Sequence, residues 1–468
     1  MAIRPQSTPA AIALNRFGLG ARAGEAAPAD PVQWLKGQLG NGRYEALPPV
    51  WADQPTSTTL AAAFAQRETA IRDAAPDDKQ AVRKSSNEDL RDTYRAAVDA
   101  RFLSALQTST PFIERLVHFW SNHFAVSTEK PAVAMLAGSF EVEAIRPHVL
   151  GRFEDLLVAV EQHPAMQIFL DQARSVGRDS PAAERQAQRH PEQKPGLNEN
   201  LAREIMELHT LGVRSGYGQA DVAEFARALT GWSIGGLGAA GKRADLVAPG
   251  QFVFRDRLHE PGARTILGRQ YDQQGVGQPL AVLHDFAESP ATAQHIAEKL
   301  ARHFVADTPP PALVDRLASI FSATHGDLTS VYLTLIDSPE AWSPVDAKFK
   351  TPWDWALSSL RGLGRADVGK LSVAPMMTQL GQPVWRPGSP AGYDDIAASW
   401  AAPDALVRRV ELAQRFASRV GDALDARTLG QQLLAGSLSE STETELSRAE
   451  SAPTALALLL VSPDFQRR

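Results

Sequence analysis

The chain has 468 residues, of which 44% are apolar and 22% are charged, a composition typical of a globular protein. Its net charge of -6 argues against a general nucleic-acid binder, because neutralising phosphates requires clustered Lys and Arg. The absence of cysteine from the sequence excludes disulfides, thiolate nucleophiles, Fe–S clusters and Cys-type zinc sites.

Helical periodicity dominates the sequence. Asp30-Pro31 predicts a capped helix with Pro in its first turn, and Thr110-Pro111 begins another. The spacing of apolar residues predicts further helices over 89–107, 151–162, 199–211, 219–230, 290–305, 310–323, 352–362, 404–418 and 452–461. Gln251–Phe254 and Thr265–Leu267 are strand-like and predict a hairpin around the Pro261-Gly262 turn. The predicted fold class is mainly α, a large multi-helix assembly with one short β-hairpin.

Three segments interrupt this pattern. Residues 174–197 are polar and residues 235–250 are rich in Gly and Ala, so both are predicted to be flexible loops. The first leads into the helix predicted over 199–211, where it could act as a lid. Met376–Gly392 combines prolines with aromatic residues, which indicates an ordered, extended segment.

The N-terminal segment lacks the continuous apolar run of a signal peptide, because Asn15 and Arg16 interrupt it. No run approaches the roughly 18 apolar residues that a membrane span needs. We therefore predict a cytoplasmic protein without a membrane span, while export together with a partner stays open.

The helix over 199–211 carries a polar face formed by Asn200, Arg203, Glu204 and Glu207. Two carboxylates one turn apart could bind a metal or transfer protons. The alternative is a solvated face on which Arg203 and Glu207 form an i,i+4 pair. In a straight helix His209 points away from Glu207, so one ion could not contact both, and its apolar neighbours predict a buried histidine.

The helix that begins at Pro111 repeats this arrangement. Glu114, His118 and Asn122 form a polar stripe, and His123 falls on the apolar side. A lone histidine on an apolar face is usually a satisfied core residue. His123 and His209 could nevertheless meet between the two helices, in a polar network or in a metal or haem pocket.

Two further patterns are given structural interpretations. Gly231–Gly235 matches G-x-S-x-G, but a helix precedes Ser233 where a nucleophile elbow needs a strand. A basic face is formed by His295, Lys299, Arg302 and His303. A solvated surface is the default interpretation of that face, and anion binding is the alternative.

The run from Asn198 to Trp232 closely resembles the signature of a bacterial domain-of-unknown-function family, numbered 1800 (DUF1800). Supporting matches are Arg16–Gly20, His118–Phe124, His163–Met166 and Gly381–Pro383. The resemblance implies a single helix-rich domain over 6–466, although chain length alone would predict two or three lobes. It also implies a partner from the co-encoded family 1501, whose members resemble sulfatases and alkaline phosphatases.

Two functions follow from these residues and from the resemblance. In the first, the protein is an enzyme with Glu204, Glu207, His209 and His123 as catalytic residues. Arg203, Asn200 and Asn122 would then bind substrate, and a divalent metal is a candidate cofactor. In the second, it is a non-catalytic binding or accessory protein for the sulfatase- or phosphatase-like partner, and the polar cluster sets the helix register.

Overall fold

The computed structural model describes residues 7–40, 44, 47–189, 196–236, 247–345 and 348–468. Within these residues α-helices predominate, and the β structure consists of two small antiparallel strand pairs. The mainly α fold class predicted from the sequence is therefore confirmed.

The helices and strands follow one another along the whole described chain. The first group of α-helices is α1 (Pro9–Ile12), α2 (Pro31–Leu39), α3 (Pro49–Ala52), α4 (Ser57–Asp73), α5 (Lys79–Gln107), α6 (Pro111–His123), α7 (Pro131–Phe140), α8 (Phe153–Gln162) and α9 (Pro164–Phe169). The second group is α10 (Pro181–Arg189), α11 (Asn200–Glu204), α12 (Gln219–Leu229), α13 (Gly277–Ala287), α14 (Pro290–Phe304), α15 (Pro311–Ala323) and α16 (Leu328–Asp337). The third group is α17 (Pro352–Gly362), α18 (Val373–Gln379), α19 (Ala397–Trp400), α20 (Pro403–Val420), α21 (Ala426–Leu433), α22 (Glu440–Arg448) and α23 (Ala452–Val461).

Shorter elements join these helices. The π-helical segments are Ala13–Phe17, Glu141–Ile145 and Ile205–His209. The 3-10 turns are Arg146–His148, Gln172–Arg174, Asp256–Leu258, Pro339–Trp342 and Gly421–Ala423. The strands are β1 (Trp232–Ile234), β2 (Phe252–Phe254), β3 (Arg264–Ile266) and β4 (Arg269–Tyr271).

Local capping explains where the helices around the site begin. The Thr351 hydroxyl accepts from the Asp354 amide at 3.1 Å before α17, and the Ser289 hydroxyl accepts at 3.3 Å in the first turn of α14. Asn198 Oδ1 accepts from the Asn200 amide at 2.8 Å. Each side chain satisfies a backbone donor that a helix start leaves free, which favours these positions as helix starts.

Buried apolar side chains form a cluster with members from Ile12 to Phe465. Helix α6 lies deep within it, and α14 packs along α15. Near the C-terminal end of the chain, α20 packs along α23. The helices that carry the site are therefore held by side chains from distant parts of the sequence.

The predicted pairing of the strands is wrong. β2 pairs with β1, so that Val253 lies opposite Ser233, and β3 pairs with β4. The signal for the second hairpin is the turn Leu267-Gly268, where both residues have positive φ, the conformation of a two-residue hairpin turn. The Pro261-Gly262 turn instead leads from the 3-10 turn Asp256–Leu258 into β3.

The prediction of a loop over 174–197 is also wrong in part, because α10 lies inside it. The Ser180 hydroxyl accepts from the Ala183 amide at 3.2 Å, and Pro181 occupies the first helical position. Ala183 is the buried residue of this helix, so the apolar periodicity was too weak to detect. Of the loop predicted over 235–250, residues 237–246 lie outside the described part.

Candidate functional site

The polar face predicted on the 199–211 helix lies at the protein surface. Asn200 is exposed, and Arg203 and Glu207 are half-buried. Arg203 lies 3.7 Å from Glu207 and 3.3 Å from Glu199, both as i,i+4 pairs, and donates to Gln219 at 2.8 Å. This geometry is that of a solvated ion-pair face, in which such pairs contribute little stability.

The helix is not straight where it reaches His209. Residues Ile205–His209 form a π-turn closed by a bond from the Thr210 amide to the Ile205 carbonyl at 2.9 Å. A π-turn closes one residue later than an α-turn, so the directions expected for a straight helix do not apply beyond Glu204. Burial raises the pKa of Glu204, whose carboxylate also interacts electrostatically with His209.

His123 and His209 do meet in the core, as the sequence suggested. Their ring centroids lie 6.3 Å apart, and His123 Nε2 lies 3.1 Å from the His209 carbonyl oxygen. His295 Nε2 lies 3.2 Å from the neighbouring Leu208 carbonyl. If each Nε2 carries the proton, both histidines donate to the end of the π-turn, where backbone acceptors are left free.

A second polar contact anchors His209 from the opposite side. His209 Nδ1 lies 2.7 Å from Glu161 Oε1, and both side chains are fully buried. A carboxylate on one ring nitrogen sets the orientation of the imidazole. His209 therefore joins α8 to the π-turn, and His123 joins α6 to the same point. These contacts describe a buried polar network between helices.

His123 and Asn122 also face a cavity of about 240 Å³. Its walls come from α5, α6, α14 and α17 and from the segment 382–395. Of the residues predicted to form a site, this cavity contacts Asn122 and His123, whereas the side chains of Asn200, Arg203, Glu204 and Glu207 do not line it. The structure therefore divides the predicted set into a surface group, a pair at the cavity (Asn122 and His123), and His209, which is buried and does not line the cavity.

The basic face of α14 lines this cavity through Lys299, Arg302 and His303. The interpretation of that face as a solvated surface is therefore wrong. Residues of the segment 382–395 line the same cavity, so this face of α14 meets another part of the chain rather than open surface. Charged residues covered by another part of the chain cannot be told from solvated ones by helical spacing alone.

His303 and Asp395 form a hydrogen-bonded pair at the cavity wall. His303 Nδ1 contacts Asp395 Oδ2, while His303 Nε2 is buried and has no hydrogen-bond partner among the described residues. Burial lowers the pKa of His303, although Asp395 opposes this effect. A neutral ring with Nδ1–H donating to the carboxylate leaves the Nε2 lone pair directed away from Asp395.

The Asp395 carboxylate is held by cations on its other side. Lys348 Nζ lies 3.2 Å from Asp395 Oδ1, and Arg468 Nη2 lies 3.7 Å from the same oxygen. Burial alone would raise the pKa of Asp395, but His303, Lys348 and Arg468 outweigh it and hold this pKa well below its usual range. Asp395 is therefore ionised at neutral pH and can stabilise a charged His303.

Two cationic side chains present free donors to the cavity. Arg101 Nε bonds Glu141 at 2.7 Å, and its guanidinium lies 4.5 Å from the Trp353 ring centroid and 5.4 Å from that of Trp385. Its Nη atoms make no hydrogen bond to the residues that the structure describes. Lys299 Nζ likewise has neither a hydrogen bond nor an ion pair within the described ranges. The unpaired Lys299 and the free Nη donors of Arg101 together favour an anionic ligand in this cavity.

Asn122 fastens the segment that covers the cavity. Its Oδ1 accepts from the Tyr393 amide at 2.7 Å, and its Nδ2 donates to the Tyr393 carbonyl at 2.9 Å. Gly392 lies beside these bonds with φ +82°, and a Cβ there would be 2.3 Å from the Asn122 carbonyl oxygen. Asn122 thus places Asp395 through the backbone, and both of its side-chain polar atoms are already used.

Gly392→Ala should release this segment. Because the added methyl meets backbone at 2.3 Å and the residue keeps a positive φ, we expect the free energy of unfolding to fall by ~1–3 kcal/mol. Urea unfolding followed by tryptophan fluorescence measures the loss. Gly388→Ala is the matched control, since a Cβ there meets nothing within 4 Å. Equal stability of the two variants would show that the close contact between Gly392 and Asn122 does not hold the segment.

The described residues contain no group of three or more His, Asp or Glu side chains arranged to hold a metal ion. The two histidines of the core are held by a carbonyl and by Glu161. Within the same described ranges, no helix combines the length and the apolar character needed to cross a membrane.

The family model described as "Protein of unknown function (DUF1800)" matches residues 12–467. The chain belongs to the DUF1800 family. Comparison with curated proteins and with solved structures found no match. The resemblance seen in the sequence is thereby confirmed, and the function of this DUF1800 protein has to be argued from its own site.

Sequence reasoning missed Asp395 and Arg101 and took Lys299 and His303 for surface residues. The available signal was the i,i+4 spacing of Lys299 and His303 on α14. A second signal was the pair of acidic residues, Asp394-Asp395, that follows Gly392-Tyr393 within the family match of this DUF1800 protein. Neither signal says that the two segments meet.

Proposed function

We propose that this DUF1800 protein is an enzyme in which His303 acts as a general base on a small anionic substrate. The observation that carries the proposal is the His303 ring at the cavity wall, with Nδ1 bonded to Asp395 and a buried Nε2 that has no partner among the described residues. General bases need this combination of a free lone pair and an oriented ring.

His303 Nε2 would accept a proton from the substrate or from a water beside it. The imidazolium formed in this step would be stabilised by the ionised Asp395 carboxylate. Arg101, whose guanidinium lies over the rings of Trp353 and Trp385, would hold the anionic group of the substrate. Its guanidinium is fixed by Glu141, so binding would need little further ordering of that side chain.

Aromatic side chains line part of the cavity, and they favour a substrate that displaces water when it binds. Phe119 lies 5.4 Å from His303 between ring centroids, and Trp353 donates to His118 Nδ1 at 3.3 Å. Electrostatic interactions strengthen when water leaves such a cavity. The surface carboxylates Glu204 and Glu207 have no part in this mechanism, and the family 1501 partner stays a prediction.

The test is a search for proton transfer with small carboxylates and phosphate esters. Wild-type protein and His303→Gln are incubated with mixtures of these compounds in D2O, and mass spectrometry records deuterium incorporation or product. We expect a change with the wild type that is absent with His303→Gln. His325→Gln, at an exposed histidine, serves as the control. Equal turnover by both variants, or no change in any mixture, would contradict the proposal.

A further inference from the structure

Lys299 is partly buried and makes no direct ion pair with the described residues, although the Asp395 charge acts on it. It lies on α14 and lines the cavity, and no described residue gives its Nζ a hydrogen bond or an ion pair. By contrast, Lys348 in the same region is paired with Asp307 at 2.7 Å and with Asp395. A partly buried ammonium without a direct partner loses hydration that nothing replaces, so the charged form of such a lysine is destabilised.

The surroundings of Lys299 favour the neutral amine. Burial, the largest cause, and the nearby Arg302 together lower the pKa of Lys299 to about 8, although Asp395 opposes the shift. A typical lysine has a pKa near 10.4, so it is protonated almost completely at neutral pH. At neutral pH, a larger fraction of Lys299 than of a typical lysine would therefore be present as the nucleophilic free amine.

Lys299 and His303 stand one helical turn apart on the same face of α14 and line the same cavity. Residues four apart on a helix are neighbours, so a group bonded to one lies within reach of the other. Arg101 faces the cavity from α5, a different helix. The cavity therefore combines an amine, a base and a separate cation.

We propose that Lys299 is the nucleophile of this site and forms an imine with a carbonyl substrate that carries a carboxylate or phosphate. This inference rests on the proposed function and names its substrate class. The Nζ lone pair attacks the carbonyl carbon and forms the C–N bond as the C=O π bond breaks, and the oxygen takes up the proton that Nζ loses. The carbinolamine then loses that oxygen as water and leaves an iminium, so no oxidant or reductant is needed.

His303 has a place in the same sequence. Once protonated, it can donate to the departing hydroxyl, and in its neutral form it can remove a proton from the carbon next to the iminium. Arg101 would bind the anionic group and orient the carbonyl toward Lys299. The iminium accepts the electron pair that remains on the neighbouring carbon when its proton is removed. A general base beside the iminium can therefore remove that proton more easily.

The probe is glyoxylate, which joins an aldehyde to a carboxylate in a molecule small enough for the cavity. The full chain is incubated with glyoxylate near pH 7 in the presence of cyanoborohydride, and peptide mass spectrometry locates the reduced adduct. We expect it at Lys299, absent from Lys299→Met and unchanged in Lys370→Met, which alters an exposed lysine. Labelling spread over exposed lysines, without preference for Lys299, would overturn the inference.

Lys299→Arg separates this inference from the proposed function. Arginine keeps the positive charge but cannot form the imine, so any turnover found in the D2O search should be lost in this variant. Full turnover by Lys299→Arg would show that Lys299 acts only as a cation, while His303 remains the base. Trapping at Lys299 without turnover of any compound would instead support Lys299 as a nucleophile and contradict the role of His303 as a general base.

Discussion

Asp395→Asn should lower the rate of the His303-dependent reaction by about 10²–10⁴-fold, the usual contribution of general acid–base catalysis. Asp395 accepts the Nδ1–H bond of His303 and so keeps the lone pair on Nε2. An asparagine amide can donate to Nδ1 instead, which shifts the proton to Nε2 and removes the base. Because Asp395 acts through His303, it is a positioning residue, and KM should change much less than kcat.

The neighbouring acid provides the control. Asp394 is exposed and its Oδ2 accepts from the Ser399 hydroxyl at 2.8 Å, so Asp394→Asn keeps the same loop and loses a charge of the same kind. Steady-state kinetics with a pH profile of kcat distinguish orientation from simple loss of structure. If Asp395→Asn and Asp394→Asn reduce kcat equally, Asp395 does not orient the base.

Glu114→Ala should destabilise the protein by about 3–5 kcal/mol, because it leaves a buried guanidinium without its main partner. Arg146 is fully buried and donates to Glu114 Oε2 at 2.9 Å and to Oε1 at 2.5 Å. Its other acidic neighbour, Glu141, lies 3.5 Å away and is already engaged by Arg101 at 2.7 Å. Glu141 meets Arg146 only through Oε1 at 3.5 Å, a longer contact than either bond to Glu114, so it is a weak substitute for Glu114.

Urea unfolding of the variant measures this loss. Glu445→Ala, at an exposed position of α22, should change the free energy of unfolding by less than ~0.5 kcal/mol. Glu114→Gln keeps two polar atoms but not the charge, so we expect it to lie between the two. A loss below ~1 kcal/mol in Glu114→Ala would mean that Arg146 is satisfied by Glu141 alone.

The helices of this DUF1800 protein were predictable because their signals are local. Pro111 and Pro290 occupy first-turn positions, and Thr351 caps the helix that follows it. These residues act on the backbone within a few positions, and apolar spacing then shows which side of a helix is buried. The meeting of His123 with His209 followed from the same reasoning, applied to two apolar faces.

The candidate site was largely out of reach for the opposite reason. His303 and Asp395 are 92 residues apart, and their contact depends on how the segment 382–395 folds back over α14. Helical spacing shows that His303 lies on a polar face but cannot show what covers that face. The surface pair of Arg203 and Glu207 was predicted as one of two open interpretations, because solvated and functional polar faces have the same periodicity.

Because Ile205–His209 form a π-turn, the positions of the backbone carbonyls that follow depend on the number of residues in this segment. A deletion of one residue there would restore regular α-helical spacing and rotate the residues that follow by about 100°, so the carbonyls of Leu208 and His209 would point in other directions. His295 and His123 would then lose their acceptors together, on two different helices. A relative that keeps both donor histidines but lacks one residue of this segment would therefore not have the same contacts in its core.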